Sequence, residues 1–443
     1  MAKRASKDAA GSPSTVNALA TFRELIAPED IIEAACRLGA IQRQRKVDMP
    51  ALVQATIAAV LPTPGTQTTA FANYISLTGK RLAPSAFYDR FSDEFAALMR
   101  EVALRAVKAV REVTPEDHRF ADYGVLLETF SDIRVVDATT HLLRKLAPDG
   151  RKVRPGIKWH SVISLKDDLP VGEAVTDRHV SDLTGLPAAA FASGTLTLMD
   201  MGYVDYGRFI DATERGASFV TRLKSNANPR IKKVHIGKGD KSRLRGQPLH
   251  SVAQGSVHRV PDNHLDADRG EIDIDVILEH GERSGVARVV ALASPDGELH
   301  WYLTNVGRDV LDVADLAGTY RLRWNVELFF KQLKSGAGFG AVTSGRPSAV
   351  SALLYAKLIA LCLARLLELT AEERTGRKAT SQLALVVAVT RCAPLLMSMM
   401  MAARGVTLAQ LEERILIIAE IAARSRNQRR ERAKRKRQKL LGS

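Results

Sequence analysis

Between residues 21 and 130 apolar positions recur at intervals of three and four, as in PEDIIEAACRLGAI and SDEFAALMREVALRAVKAVREV. That is the period of amphipathic helices, and it predicts a helical domain over 21–130, preceded by a disordered start at 1–20. Within it YISLTGKRLAPSAFYDRF (74–91) divides into two short helices about a glycine-containing turn, with Ser85 placed to cap the second. The pattern suits a helix-turn-helix and equally an ordinary helical hairpin. At 131 the period changes. IRVVDATT (133–140), WHSVISLKD (159–167), LPVGEAVTDRHV (169–180) and TLTLMD (195–200) alternate or run apolar as strands do, then a helix over 206–216 and a strand SFVTRLKS (218–225) follow. The order predicts a mixed α/β sheet over 131–226. A strand-rich and turn-rich insertion covers 227–312, a second part of the core 313–346, a helical region 347–423 and a basic tail 424–443.

One stretch stands out against this background, YRLRWNVELFFKQLKSGAG (320–338). Wound as a helix, Tyr320, Arg323, Glu327, Lys331 and Lys334 fall within roughly 80° of one another, while Leu322, Val326, Phe329 and Leu333 gather on the opposite side. Trp324 borders the polar stripe. The apolar ridge can dock on a core, so the stripe faces outward. It reads either as a solvated face with i,i+4 pairs or as a site that handles an anion and a cation together.

Composition narrows the partner. Net charge is +15, and the segment 424–439 alone holds ten Lys or Arg against one Glu. Such a run seeks an acidic partner, nucleic acid or an anionic surface, through its charge rather than its shape. Mean hydropathy of −0.08 argues against a membrane protein. The apolar run at 352–370 is interrupted by Lys357, Arg365 and Glu368, so it predicts a buried or dimerising helix instead of a bilayer span. The N-terminus has no hydrophobic signal core, and the three cysteines show no CxxC spacing. Both suit the cytoplasm and offer no disulfide framework. The ten histidines show no metal-ligand spacing.

Two carboxylates, Asp137 and Asp200, end the apolar runs IRVVD and TLTLMD. Either alone reads as an ordinary turn residue. If the first and fourth strands lie side by side, both emerge at one edge of the sheet, where a helix packed across it can bring Glu327. Three converging carboxylates repel unless a cation joins them. Hard oxygen donors select Mg2+ or Mn2+, and a pair of such ions suits in-line displacement at phosphorus.

These features together resemble the DDE-type transposases of bacterial insertion sequences that carry a YREK signature: Asp137, Asp200 followed by MGYVDYGRF, and Tyr320, Arg323, Glu327 and Lys334 at the spacing Y-x2-R-x3-E-x6-K. The resemblance runs from about 131 to 340. Many relatives place an arginine where Met201 stands here. It implies an RNase H-like sheet core with a β-strand insertion, flanked by helical regions. It further implies a catalytic and metal-binding set of Asp137, Asp200 and Glu327 with two divalent ions per active site. Tyr320, Arg323, Lys331 and Lys334 would then hold DNA phosphates, and Trp301 would stack a base flipped out during hairpin formation. Arg222 and Lys224 are further candidates for DNA contact. The implied partners are double-stranded DNA, both the element's ends and the target, and a second copy of the chain in a paired-end complex, with the apolar C-terminal helices as the dimer surface. The implied setting is the bacterial cytoplasm, at the nucleoid. Two other readings remain open on the residues: a DNA-binding regulator derived from such an enzyme that no longer cuts, and a nuclease that only hydrolyses.

The tail makes a separate prediction. Removing 424–443 should weaken binding to every DNA sequence alike and make the slope of log K against log salt shallower, because fewer counterions are released. An unchanged slope in a filter-binding or anisotropy titration would show that the tail serves another partner.

Overall fold

A computed structural model of the chain describes residues 18–41, 47–60, 66–78, 82–113, 124–142, 156–166, 169–224, 226–236, 244–249, 271–293, 299–324 and 344–375. The expected disordered start before residue 18, the basic tail, region 376–423 and the candidates Glu327, Lys331 and Lys334 lie outside them. The chain divides into two compact units.

The first unit is helical: α1 (Ala18–Leu25), α2 (Pro28–Arg37), α3 (Met49–Ala59), α4 (Gln67–Thr78), α5 (Pro84–Tyr88) and α6 (Asp93–Val113). Asp48 caps α3 by accepting from the amide of Ala51 at 3.0 Å. Ala83, followed by Pro84, starts α5, so Ser85 lies inside that helix and is not its cap. Phe71, Tyr74, Phe87, Phe91 and Phe95 join α4, α5 and α6 through a chain of tilted and edge-to-face ring contacts.

The apolar run near 352–370 also belongs to this unit. It forms the last described helix, which spans Pro347–Thr375 and packs on α6, α3 and α1. Ala349 through Leu363 are mostly buried there. Of the buried or dimerising helix that the sequence suggested, the described part is the buried one: its apolar residues are covered by the chain's own helices. Lys357 is buried with them, and desolvation pulls its ammonium down to about 7. Among the described residues no helix is long and apolar enough to cross a membrane.

The second unit holds the sheet. A short helix α7 (Gly124–Thr129) leads into β1 (Asp132–Leu142), β2 (Gly156–Ser164), β3 (Leu169–Asp177), β4 (Thr195–Met199), α8 (Tyr206–Glu214) and β5 (Ser218–Arg222). There follow β6 (Arg230–Ile236), β7 (Glu271–His280), β8 (Arg283–Ala293), β9 (Leu299–Thr304) and α9 (Val313–Arg321). Among the described residues the strand order is β3-β2-β1-β4-β5-β9-β8-β7-β6. The first three strands are antiparallel neighbours, and β1, β4 and β5 run parallel. That is the order and direction of an RNase H-like core, as expected. The insertion does not form a separate layer: β9 pairs antiparallel with β5, and β8, β7 and β6 continue the same sheet.

Strand alternation assigns each face a partner. Val136, Val162, Met199, Phe219, Leu223, Trp301, Leu303 and Val289 share one buried cluster with Phe209 of α8, whose ring stacks on Phe219 at 4.1 Å. Gly207 and Gly285 permit this packing, since an added Cβ at either would meet His280 at 2.8 Å or Ile210 at 2.9 Å. Residues of the opposite parity carry a buried ionic network. Asp273, 2% exposed, accepts from Arg288 Nη2 at 2.7 Å and from Arg308 Nη2 at 2.6 Å. Arg288 Nη1 donates to the carbonyl of Leu311 at 2.6 Å, and Arg308 also reaches Asp275, which binds His235 at 2.8 Å. Burial alone would push the Asp275 carboxyl up, but Arg308 and His235 more than offset it. The network ties the segment that enters α9 to strands β7 and β8.

Removing one partner should expose how much the network holds. Arg288→Met is expected to destabilise the sheet unit by about 3–5 kcal/mol, since it strips a hydrogen-bonded partner from a buried carboxylate. Arg288→Met with Asp273→Leu should recover much of that loss. Denaturant unfolding followed by tryptophan fluorescence compares the two; equal losses would show that the charges are incidental to the packing.

Candidate active site

The parallel pairings create the site. β1 and β4 align from Asp132 with Thr195 to Val135 with Leu198. Two positions further on, Asp137 and Asp200 stand at neighbouring places in the register. β4 and β5 align Met199 with Thr221, so the next step sets Asp200 beside Arg222. Arg222 is in turn opposite Tyr302 on β9, and Asp137 opposite Ser161 on β2. One row therefore crosses five strands as Ser161, Asp137, Asp200, Arg222, Tyr302, all on the face away from the apolar cluster.

Asp137 does not end its strand, as the sequence suggested. β1 continues to Leu142 on the β2 side, while its pairing with β4 stops at Val135. The strand thus has one open edge from Val136 onward, and Asp137 occupies it. Asp200 follows β4 directly and opens a 3-10 turn, Met201–Tyr203, closed by the Tyr203 amide donating to the Asp200 carbonyl at 3.0 Å. Tyr203 is buried, with no hydrogen-bond partner for its hydroxyl among the described residues. Burial, followed by the charges of Asp182, Asp137 and Asp200, holds its phenol far above the ordinary range. The fields of both aspartates thus meet at one hydroxyl.

α9 covers the same face. Tyr320 is buried rather than displayed in an outward stripe, and its ring lies 5.2 Å from that of Tyr302. The expected single helix over 320–338 is interrupted: α9 ends at Arg321, and the amides of Leu322 and Arg323 bond to Thr319 and Tyr320 in i→i+3 fashion. Tyr320 and Arg323 remain together across that turn, with the guanidinium carbon 5.8 Å from the ring centroid. Burial pushes the Tyr320 phenol up to about 12; Arg323 and Arg222 pull against the shift and Asp200 adds to it. The structure therefore brings Asp137, Asp200, Arg222, Tyr320 and Arg323 to one place. Lys224 lies two residues past β5, half-buried, and Trp324 is 59% exposed just past the turn.

Trp301 is the clear exception. Its neighbours His300 and Tyr302 face the row, so Trp301 faces the opposite side, 3% exposed within the apolar cluster. Strand alternation therefore sets this indole on the apolar side of the sheet, away from the row. Two site residues escaped the sequence reading, Tyr203 and His300. The signal for His300 was its two-residue offset from Tyr302, legible only once β9 is known to pair with β5.

A divalent cation suits the donor set here, since Asp137 and Asp200 are hard oxygen donors, half-buried at neighbouring register positions. Among the described residues no group of three His, Cys, Asp or Glu is close enough to hold a metal. The described part supplies two of the three expected carboxylates.

Residues 128–363, more than half the chain, match the family described as the transposase DDE domain. The chain belongs to the DDE transposase family. Relatives include y4zB of Sinorhizobium fredii, 28% identical over 53% of this chain and 60% of that protein. The transposase for insertion sequence element IS231F of Bacillus thuringiensis subsp. israelensis is 24% identical over 65% of this chain and 66% of its own length. The chain thus spans about two thirds or less of these relatives. A solved piggyBac transposase synaptic complex with hairpin DNA covers 91% of this chain and 85% of its own at 11% identity, with a TM-score of 0.45. Within the DDE family match lie β1, β4 and α9, and therefore both aspartates, Tyr320 and Arg323.

Trp301→Ala should cost about 3–5 kcal/mol of stability, as truncation of a large buried aromatic does. DNA processing by the variant should fall only in proportion to its folded fraction. A stable Trp301→Ala protein that has lost activity would return the indole to the site.

Proposed function

We propose that this family member binds the terminal inverted repeats of its own element, cuts them and joins them to target DNA. The observation that carries the reading is the single row in which Asp137 and Asp200 stand beside Arg222, with Tyr320 and Arg323 held against it by α9. Carboxylates next to fixed cations on one sheet face suit a phosphodiester whose reacting phosphorus lies by the acids and whose flanking phosphates meet the cations.

Two divalent ions bound by Asp137, Asp200 and Glu327 would supply a deprotonated attacking oxygen and charge compensation at the leaving oxygen. The chain's own part is positioning. Arg222 and Arg323 donate to phosphate oxygens, and the Tyr320 phenol, held protonated by burial, is a donor at neutral pH. Water first opens each end by breaking the phosphorus–O3′ bond, which frees a 3′-hydroxyl. That hydroxyl attacks a phosphorus of the opposite strand and expels the flanking O3′, leaving a hairpin; water attacks the hairpin phosphorus and expels the element's O3′ again, and that hydroxyl finally attacks a target phosphorus and expels the target O3′. Lys331 and Lys334 add phosphate contacts, and two copies of the chain work across paired ends.

Asp137→Asn and Asp200→Asn should each abolish end cleavage while leaving binding to the end duplex within a few-fold, because the acids serve chemistry rather than recognition. The assay is plasmid excision and strand transfer with Mg2+, using the ends that flank this coding sequence. Cleavage surviving in either variant would sink the assignment. Hydrolysis without strand transfer would favour a nuclease, and tight end binding without cleavage by the unmodified protein would favour a regulator.

A further inference from the structure

Arg222 and His300 meet across β5 and β9, with Arg222 Nη2 2.9 Å from His300 Nδ1. A guanidinium has only donors, so Nδ1 accepts and the imidazole proton sits on Nε2. The contact is built into the register: Arg222 is opposite Tyr302, and His300 lies two residues back on the same face. From the other side Leu292 of β8 is opposite His300. The charge of Arg222 reaches the phenols of Tyr302 and Tyr320, and Arg321 also acts on Tyr302.

Asp200 stands one register step from Arg222, yet the partner recorded for the guanidinium among the described residues is His300. An arginine beside a carboxylate ordinarily closes a forked pair with it. Such a pair here would occupy the oxygens that a cation needs. The hydrogen bond to His300 gives the guanidinium another partner, along β9.

We propose that His300 is a positioning residue: by accepting a hydrogen bond from Arg222 it holds the guanidinium off Asp200, keeping the carboxylate open to a divalent cation and the remaining guanidinium donors open to a phosphate oxygen. The inference rests on the phosphoryl-transfer reading above. Lys224, two residues past β5, and Arg323 beyond α9 add positive charge nearby, so a second reason exists for Arg222 to turn toward Asp200 once His300 is removed. Lengthening of the side chain is not needed for that turn, because the register already makes the two residues neighbours.

The test uses the full chain and Mn2+ alone as probe, followed by calorimetry without DNA. His300→Leu should weaken Mn2+ binding about tenfold, the scale on which partners behind a metal ligand act. His300→Asn, which keeps an acceptor near the place of Nδ1, should bind close to the wild-type protein. Adding Arg222→Ala to His300→Leu should restore Mn2+ binding, a rescue that a merely structural histidine would not show. Unchanged Mn2+ affinity in His300→Leu, or a double variant as weak as the single one, would overturn the proposal. Should His300→Leu fail to fold, 15N spectra of histidine-labelled wild-type protein decide the matter, with the His300 signal identified by its loss in His300→Asn. An unprotonated Nδ1 supports the contact, and a proton on Nδ1 overturns it. If Mn2+ binding follows the expected pattern while the wild-type protein cuts no end duplex, the positioning role stands and the phosphoryl-transfer reading fails.

Discussion

The parallel pairing of β1 with β4, and of β4 with β5, is the constraint on which the site depends. Hydrogen bonds between neighbouring strands leave no freedom of register, so fixing Val135 against Leu198 and Met199 against Thr221 also fixes Asp137, Asp200 and Arg222 in one row. A slip of one residue in β4 would turn Asp200 into the apolar cluster and Met199 out of it. The cost of burying a carboxylate there, set against the lost burial of Met199, guards the register more firmly than any contact within the site. Chemistry-bearing residues thus borrow their precision from the core on the other face.

The same period-two rule explains which aromatic residues can take part. His300, Trp301 and Tyr302 are consecutive, and only the outer two share a face with Arg222. Trp301 packs with Leu303 and Val289 against α8, while Tyr302 turns to Tyr320. The two layers divide the labour. α8 closes an apolar face that sets the register, and α9 closes a polar face that carries cations to the carboxylates.

Much of this was legible in the chain. The switch from a period of three and four to alternation near residue 131 located the sheet, and the strands expected at 133–140, 159–167, 195–200 and 218–225 each overlap an observed one. The adjacency of Asp137 and Asp200 followed from assuming that the first and fourth strands pair, which they do. What failed were readings that needed tertiary information. A helical wheel drawn across 320–334 assumes unbroken helix, and the i→i+3 bonds at Leu322 and Arg323 break it. The wheel also placed Tyr320 outside, since it could not know that Tyr302 waits across from it. The apolar helix at 347–375 could be read only as buried or dimerising, because its cover, α6 and α3, lies more than two hundred residues earlier in the sequence.

The insertion shows how a sheet can be extended without disturbing the row. Strands β6 to β9 join at the β5 edge, and that edge would otherwise present unpaired backbone groups beside Arg222. By covering it, β9 supplies both Tyr302 and His300 to the arginine. The buried Asp273 then fastens the entry of α9 to β7 and β8 through Arg288 and Arg308. Two arginines on one carboxylate leave a net positive charge in the interior, which is costly unless shared. Asp275 shares it, accepting from Arg308 on one oxygen and contacting His235 on the other. The position of Tyr320 over the row therefore follows from an ionic network whose residues lie in the insertion, so that the strands added to the core also hold in place the helix that completes its polar face.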